Sequence, residues 1–107
     1  MILGIDFDGT LVKHAYPEIG EPNLLLINKL KSLKEKGHKL ILWTCRDKEE
    51  LQAAIEFCKS IGLFFDVVND DLPEIKKNFK NKSQKVYADI YIDDRNFTIE
   101  EFLNLTI

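Results

Sequence analysis

The heptad Ile5-Asp6-Phe7-Asp8-Gly9-Thr10-Leu11 sets two carboxylates one residue apart, where an apolar run meets a glycine turn. In an extended chain, residues i and i+2 project to the same side. With Met1 to Phe7 read as a strand, Asp6 and Asp8 line one pocket as the chain leaves the sheet. Like charges held that close repel, and burial raises the cost further. Such a pair shares a cation, shares a proton or takes part in chemistry. The plainer reading is a surface turn whose aspartates accept backbone hydrogen bonds.

Two later segments repeat the design. Lys39-Leu40-Ile41-Leu42-Trp43 ends in Thr44-Cys45-Arg46, and the run from Tyr87 to Ile92 ends in Asp93-Asp94-Arg95. Each apolar stretch stops at chemically capable residues on its carboxyl side. In open parallel sheets, ligands bind beyond the carboxyl ends of the strands. One shared site would collect Asp6, Asp8, Thr44, Arg46, Asp93 and Asp94.

On these motifs the chain resembles the haloacid dehalogenase (HAD) superfamily, whose members are mostly phosphatases. Asp-x-Asp-Gly-Thr-Leu after an apolar strand is matched in full at Asp6 to Leu11. An apolar strand ending in Thr is matched at Thr44, and one ending in paired aspartates at Asp93-Asp94. The upstream lysine of the family pattern falls best on Lys85, with Lys80 and Lys82 close by. The first and last motifs are specific; the middle two gain weight from their order.

The resemblance implies a Mg²⁺-dependent phosphomonoester hydrolase. Asp6 would attack phosphorus to form an aspartyl-phosphate, carboxylates being competent covalent nucleophiles. Asp8 would protonate the leaving oxygen and then activate water. Thr44 would donate a hydrogen bond to the phosphoryl group, and Lys85 would neutralise charge on it and on Asp6. The Mg²⁺ ligands would be the Asp6 carboxylate, the Asp8 main-chain carbonyl and Asp93, with Asp94 binding through water or orienting the others. Gly9 and Arg46 are the candidate substrate-binding residues; Arg46 can fork onto a phosphate or a carboxylate, or sit in a surface salt bridge. Ion pumps of the superfamily carry threonine where this chain has Asp8, so the resemblance favours hydrolysis over a stable phosphoenzyme.

The elements that must position these groups follow from periodicity. Strand and helix patterns alternate, which predicts an α/β fold, a three-layer Rossmann-like parallel sheet of about four strands in the order 3-2-1-4 flanked by helices. All 107 residues are expected to form one HAD-like core domain. After a loop at 14–21, Pro22 suits a helix start. Leu26, Ile27, Leu30 and Leu33 recur at helical spacing before Gly37. Asp47 and Glu50 resemble a capping box, followed by the stripe Leu51, Ala54, Ile55, Cys58 and Ile61. Phe64 to Val68 reads as the third strand, Glu74 to Phe79 as a short helix, Tyr87 to Ile92 as the fourth strand, and Thr98 to Leu103 as a last helix. The stretches from Thr10 to Thr44 and from Val68 to Lys85 are too short for a cap domain. The resemblance then implies a capless member, which accepts large phosphorylated partners or borrows a neighbouring subunit of a homo-oligomer as its lid. Otherwise selectivity falls to the loop at 12–21, where His14 and Tyr16 either cover the pocket or sit on the surface without a role, or to the lysine-rich stretch at 74–85.

Composition narrows the rest. Hydrophobic residues make up 45% of the chain, enough for a real core, and the net charge of −3 counts against non-specific polyanion binding. The lysines at 76, 77, 80, 82 and 85 form a solvated loop or track a polynucleotide with a 3′-phosphate, which stands beside a phosphorylated small molecule or macromolecule as substrate. No apolar run is long enough to span a membrane. Cys45 and Cys58 lack metal or redox spacing, which fits free thiols in a reducing cytosol. Cys45 is a poor nucleophile candidate, because neither His14 nor His38 has the context of a paired base. An EF-hand is ruled out: from Asp6, the loop positions that need Gly and Glu hold Leu11 and Pro17. Asn69-Asp70-Asp71 before Leu72-Pro73 reads as a solvated turn, although Asn69 is near enough to touch a substrate. Two other functions compete with the hydrolase: a non-catalytic phosphate-binding module, and a receiver-like domain, which the Asp-x-Asp-Gly-Thr signature disfavours.

Overall fold

The computed structural model describes residues 1–76, 87–93 and 98–105, except the side chains of residues 74 and 76. Four strands, β1 (Ile2–Ile5), β2 (Lys39–Leu42), β3 (Val67–Val68) and β4 (Ile90–Ile92), form an all-parallel sheet in the order β3-β2-β1-β4. This is the expected order. Helices α1 (Leu24–Glu35), α2 (Lys48–Ser60), α3 (Pro73–Lys76) and α4 (Ile99–Leu103) connect or follow them.

Strand side chains alternate between two faces, and the faces differ. Leu3, Ile5, Leu40, Leu42 and Ile92 pack in one cluster with Leu26, Ile27, Leu30 and Leu33 of α1, Ala54 and Cys58 of α2, and Phe102 of α4. Ile41 faces the other way, packing with Leu72, Ile2, Val67, Tyr91 and Ile75 of α3. The chain thus places α1, α2 and α4 on one side and crosses to the other between β3 and β4, where the strand order reverses around β1.

The elements are shorter than periodicity predicts, for a shared reason. The third and fourth strands were expected from Phe64 and Tyr87, yet their ladders begin at Val67 and Ile90. In each case an aspartate just before the strand takes the neighbouring strand's amide. Asp66 Oδ2 accepts from Leu40 N at 2.8 Å, and Asp89 Oδ2 accepts from Ile2 N at 2.7 Å. A longer ladder would give those N–H groups to main-chain carbonyls.

Helix starts also depart from expectation. Asn23, not Pro22, caps α1, its side chain accepting from Leu26 N. The capping box proposed at Asp47 and Glu50 does not form: Asp47 makes no side-chain cap bond. Lys48 has φ 49°, so the chain enters α2 by a left-handed step that a capping box does not use. A reciprocal box closes on α4 instead, between Thr98 and Glu101. The helix expected over Glu74 to Phe79 is seen as Pro73–Lys76, its remainder lying outside the described residues. Among the described residues no helix is long and apolar enough to cross a membrane.

Candidate active site

The register lines up the strand ends. Ile5 pairs with Leu42 and with Ile92, and Leu42 pairs with Val68. The chain then leaves the sheet at Asp6, Trp43-Thr44, Asn69 and Asp93, all at the carboxyl edge. Asp6 N donates to Ile92 O at 3.1 Å, Trp43 N to Ile5 O at 2.9 Å and Asn69 N to Leu42 O at 2.8 Å. Asp6 and Asp93 are therefore successive to paired residues on adjacent strands.

A cavity of about 430 Å³ opens above this edge, lined by Asp6, Asp8, His14, Tyr16, Thr44, Cys45 and Arg46. The size suits a small ligand. Of the residues anticipated for the site, Asp6, Asp8, Thr44 and Arg46 meet in this cavity. His14 and Tyr16 form its wall, as the loop position suggested. Asp93 does not line it, although the register sets it beside Asp6. Lys85, Asp94 and Arg95, and the lysines at 77, 80 and 82, lie outside the described residues.

Gly9 shapes the turn. Its φ of 84° is one that side chains rarely adopt, and its N–H is donated to Val12 O at 2.9 Å. It borders a separate, smaller cavity with Thr10 and Asn23. The same turn leaves the Asp8 carbonyl without a hydrogen bond from any described residue.

Thr44 is braced from both sides. Its N–H donates to Asn69 Oδ1 at 2.8 Å, and its Oγ1 accepts from Arg46 N at 3.1 Å. The hydroxyl hydrogen is thus left to donate. Asn69 thereby braces Thr44. Its φ of 52° is a left-handed conformation that Asn tolerates better than most residues.

Of the alternatives for Arg46, the structure shows the carboxylate fork: it grips Asp8, Nε to Oδ2 and Nη2 to Oδ1, both at 2.8 Å. The other N–H groups donate to the carbonyls of Pro17 (3.1 Å), Glu50 (3.3 Å) and Glu18 (2.6 Å). All five guanidinium donors are therefore taken. The side chain is 1% exposed and that of Asp8 is 16% exposed. The guanidinium carbon lies 5.0 Å from the Phe7 ring centroid and 5.1 Å from that of Tyr16. The hydrogen bonds to Asp8 raise the pKa of Arg46 further, against the opposing effect of burial. Removing one partner of such a pair strands the other charge, at a cost of about 3–5 kcal/mol.

The oxygen donors here suit a hard divalent cation. Pairing of β1 with β4 sets Asp6 and Asp93 at adjacent strand ends, and these two carboxylates with the Asp8 main-chain carbonyl are the groups that would hold one. Among the described residues no three His, Cys, Asp or Glu side chains gather as metal ligands, and Asp94 lies outside the described residues.

No protein-family model matches the chain, and no curated protein matches it. Among solved structures, one described as a conserved protein coded by a locus from Bacteroides thetaiotaomicron is similar at 46% sequence identity with a TM-score of 0.79. The likeness covers 90% of this chain and 77% of that one. At that identity over that span, the chain belongs to the family of this conserved Bacteroides thetaiotaomicron protein.

Proposed function

We propose that the protein is a Mg²⁺-dependent phosphomonoester hydrolase of the haloacid dehalogenase type, working through an aspartyl-phosphate on Asp6. The observation that carries the reading is the meeting of Asp6, Asp8 and the Thr44 hydroxyl in one cavity at the carboxyl edge of a parallel sheet.

An Asp6 carboxylate oxygen attacks phosphorus as the ester oxygen departs, and Asp8 gives that oxygen its proton. Asp8 then takes a proton from water as the new oxygen–phosphorus bond forms and the Asp6–phosphorus bond breaks. Thr44 donates its O–H to a phosphoryl oxygen. A preorganised donor of this kind is worth roughly a hundredfold or more in rate. Mg²⁺, held by Asp6, the Asp8 carbonyl and Asp93, would supply charge neutralisation for the phosphoryl group. The loop carrying His14 and Tyr16 borders the space for the leaving group, so that loop would select the substrate. The exposed thiol of Cys45 and the buried one of Cys58 suit a reducing cytosol.

Purified protein should release phosphate from p-nitrophenyl phosphate in the presence of Mg²⁺, and Asp6→Asn should abolish the release. Equal turnover by the two proteins would overturn the assignment. A second reading, a non-catalytic phosphate-binding module, draws on one observation: both Asp8 oxygens are engaged by Arg46. Stabilisation by inorganic phosphate with no turnover on any ester would favour it.

A further inference from the structure

We propose that Arg46 is the positioning residue of this site, fixing the acid–base carboxylate of Asp8 and the Tyr16–Glu18 loop as one unit. The inference rests on the hydrolase reading for Asp8's role and on geometry for everything else.

Arg46 joins three pieces of chain that the sheet does not hold together. Asp8 follows β1, Pro17 and Glu18 lie in the loop beyond it, and Glu50 lies in the first turn of α2. The Tyr16 ring covers the guanidinium from the cavity side of that loop, and Phe7 packs on it from the core cluster. With 1% exposure and no donor to spare, the side chain is held by the protein's own groups. It sets where its partners stand.

The consequence for Asp8 is specific. Both of its oxygens accept from Arg46, which fixes the plane and direction of the carboxylate. The carbonyls of Pro17 and Glu18 hold the guanidinium from its other side. A displaced loop would leave Asp8 without a fixed direction toward the ester oxygen. Lysine cannot replace this arrangement, because its ammonium has three donors on a flexible stem and no plane to stack.

The test compares esters that need a proton from the enzyme with one that does not. Arg46→Lys and Arg46→Ala should lower kcat/KM on benzyl phosphate about 100-fold, yet cost less than about tenfold in kcat/KM on p-nitrophenyl phosphate, whose leaving group departs unprotonated. The ratio kcat/KM reports the transfer to Asp6 and leaves out the later water step that Asp8 also serves. Millimolar guanidinium should restore part of the benzyl phosphate activity of Arg46→Ala and none to Arg46→Lys. Equal losses on both esters, or no loss on either, would overturn the proposal. If the wild type turns over neither ester, the hydrolase reading fails, and the mechanical part is decided separately. Trypsin should then cut after Lys13 several-fold faster in Arg46→Lys than in wild type at unchanged circular dichroism. Unchanged cleavage would sink that part too.

Discussion

The two edges of the sheet use the same residue type for opposite ends. At the amino edge, Asp66 and Asp89 each spend one carboxylate oxygen on the first available amide of the neighbouring strand. Their remaining contacts are local: Lys34 lies 3.1 Å from Asp66, and Tyr87 Oη donates to Asp89 at 2.9 Å. At the carboxyl edge, Asp6 leaves its side chain facing a cavity, and Asp8 binds a buried guanidinium that holds two other segments in place. An aspartate before a strand completes the backbone; an aspartate after one is delivered to a site. Strand polarity decides the role, because successive parallel strands send all their exits to one edge.

The comparison fails if the two edges respond alike to the same substitution. Asp8→Asn should lower kcat by roughly 100-fold or more, the range of a lost general acid–base group, while the protein stays folded. Asp66→Asn should leave kcat within about twofold but cost about 1–2 kcal/mol in urea denaturation, as expected for a half-buried hydrogen bond to a charged group. Asp89→Asn should cost less than about 1 kcal/mol, since solvent screens this exposed carboxylate. Loss of turnover in the Asp66 variant at unchanged stability would contradict the division.

Acid sharpens the same contrast. The amide of Ile2 holds Asp89 below its usual carboxylate range, with Tyr87 assisting and burial opposing. Its contribution is therefore present above the unfolded value near 3.8 and lost as pH falls through the lower folded value. The melting temperatures of wild type and Asp89→Asn should differ at pH 7 and converge near about pH 2. A gap that persists in acid would mean that the carboxylate is not its source. The smallest effect concerns the two thiols. Burial pushes Cys58 up to about 11, whereas Cys45 is exposed at the cavity. Iodoacetamide should modify Cys45 in the native protein without unfolding it, and Cys58 only after denaturation.

The sheet order and the meeting of Asp6, Asp8 and Thr44 were legible because both follow from local patterns. Apolar runs mark the strands, and the first polar residue after each run marks the edge. The amino-edge aspartates were not legible. Phe65-Asp66-Val67 and Ala88-Asp89-Ile90 look like strand interiors, and only three-dimensional pairing reveals that a side chain has replaced a carbonyl there. The capping box was misplaced for a related reason. Asp47 and Glu50 have the right spacing, but Lys48 takes a left-handed turn imposed by the surrounding structure. The spacing also suggested that Arg46 can grip a carboxylate. It said nothing of which one, because the partner lies thirty-eight residues earlier.

The loop over the cavity returns on itself. Lys13 N donates to Glu21 O at 2.8 Å, and Asn23 N to Leu11 O at 2.8 Å. Gly20 permits this: a Cβ there would come within 2.0 Å of the Lys13 carbonyl oxygen. With its stems pinned and Arg46 gripping the carbonyls of Pro17 and Glu18, the arch has a fixed gauge. Evolution or an engineer wishing to roof this site with a larger cover would have to splice it clear of Pro17 and Glu18, since an extra residue there would pull the clasp off Asp8.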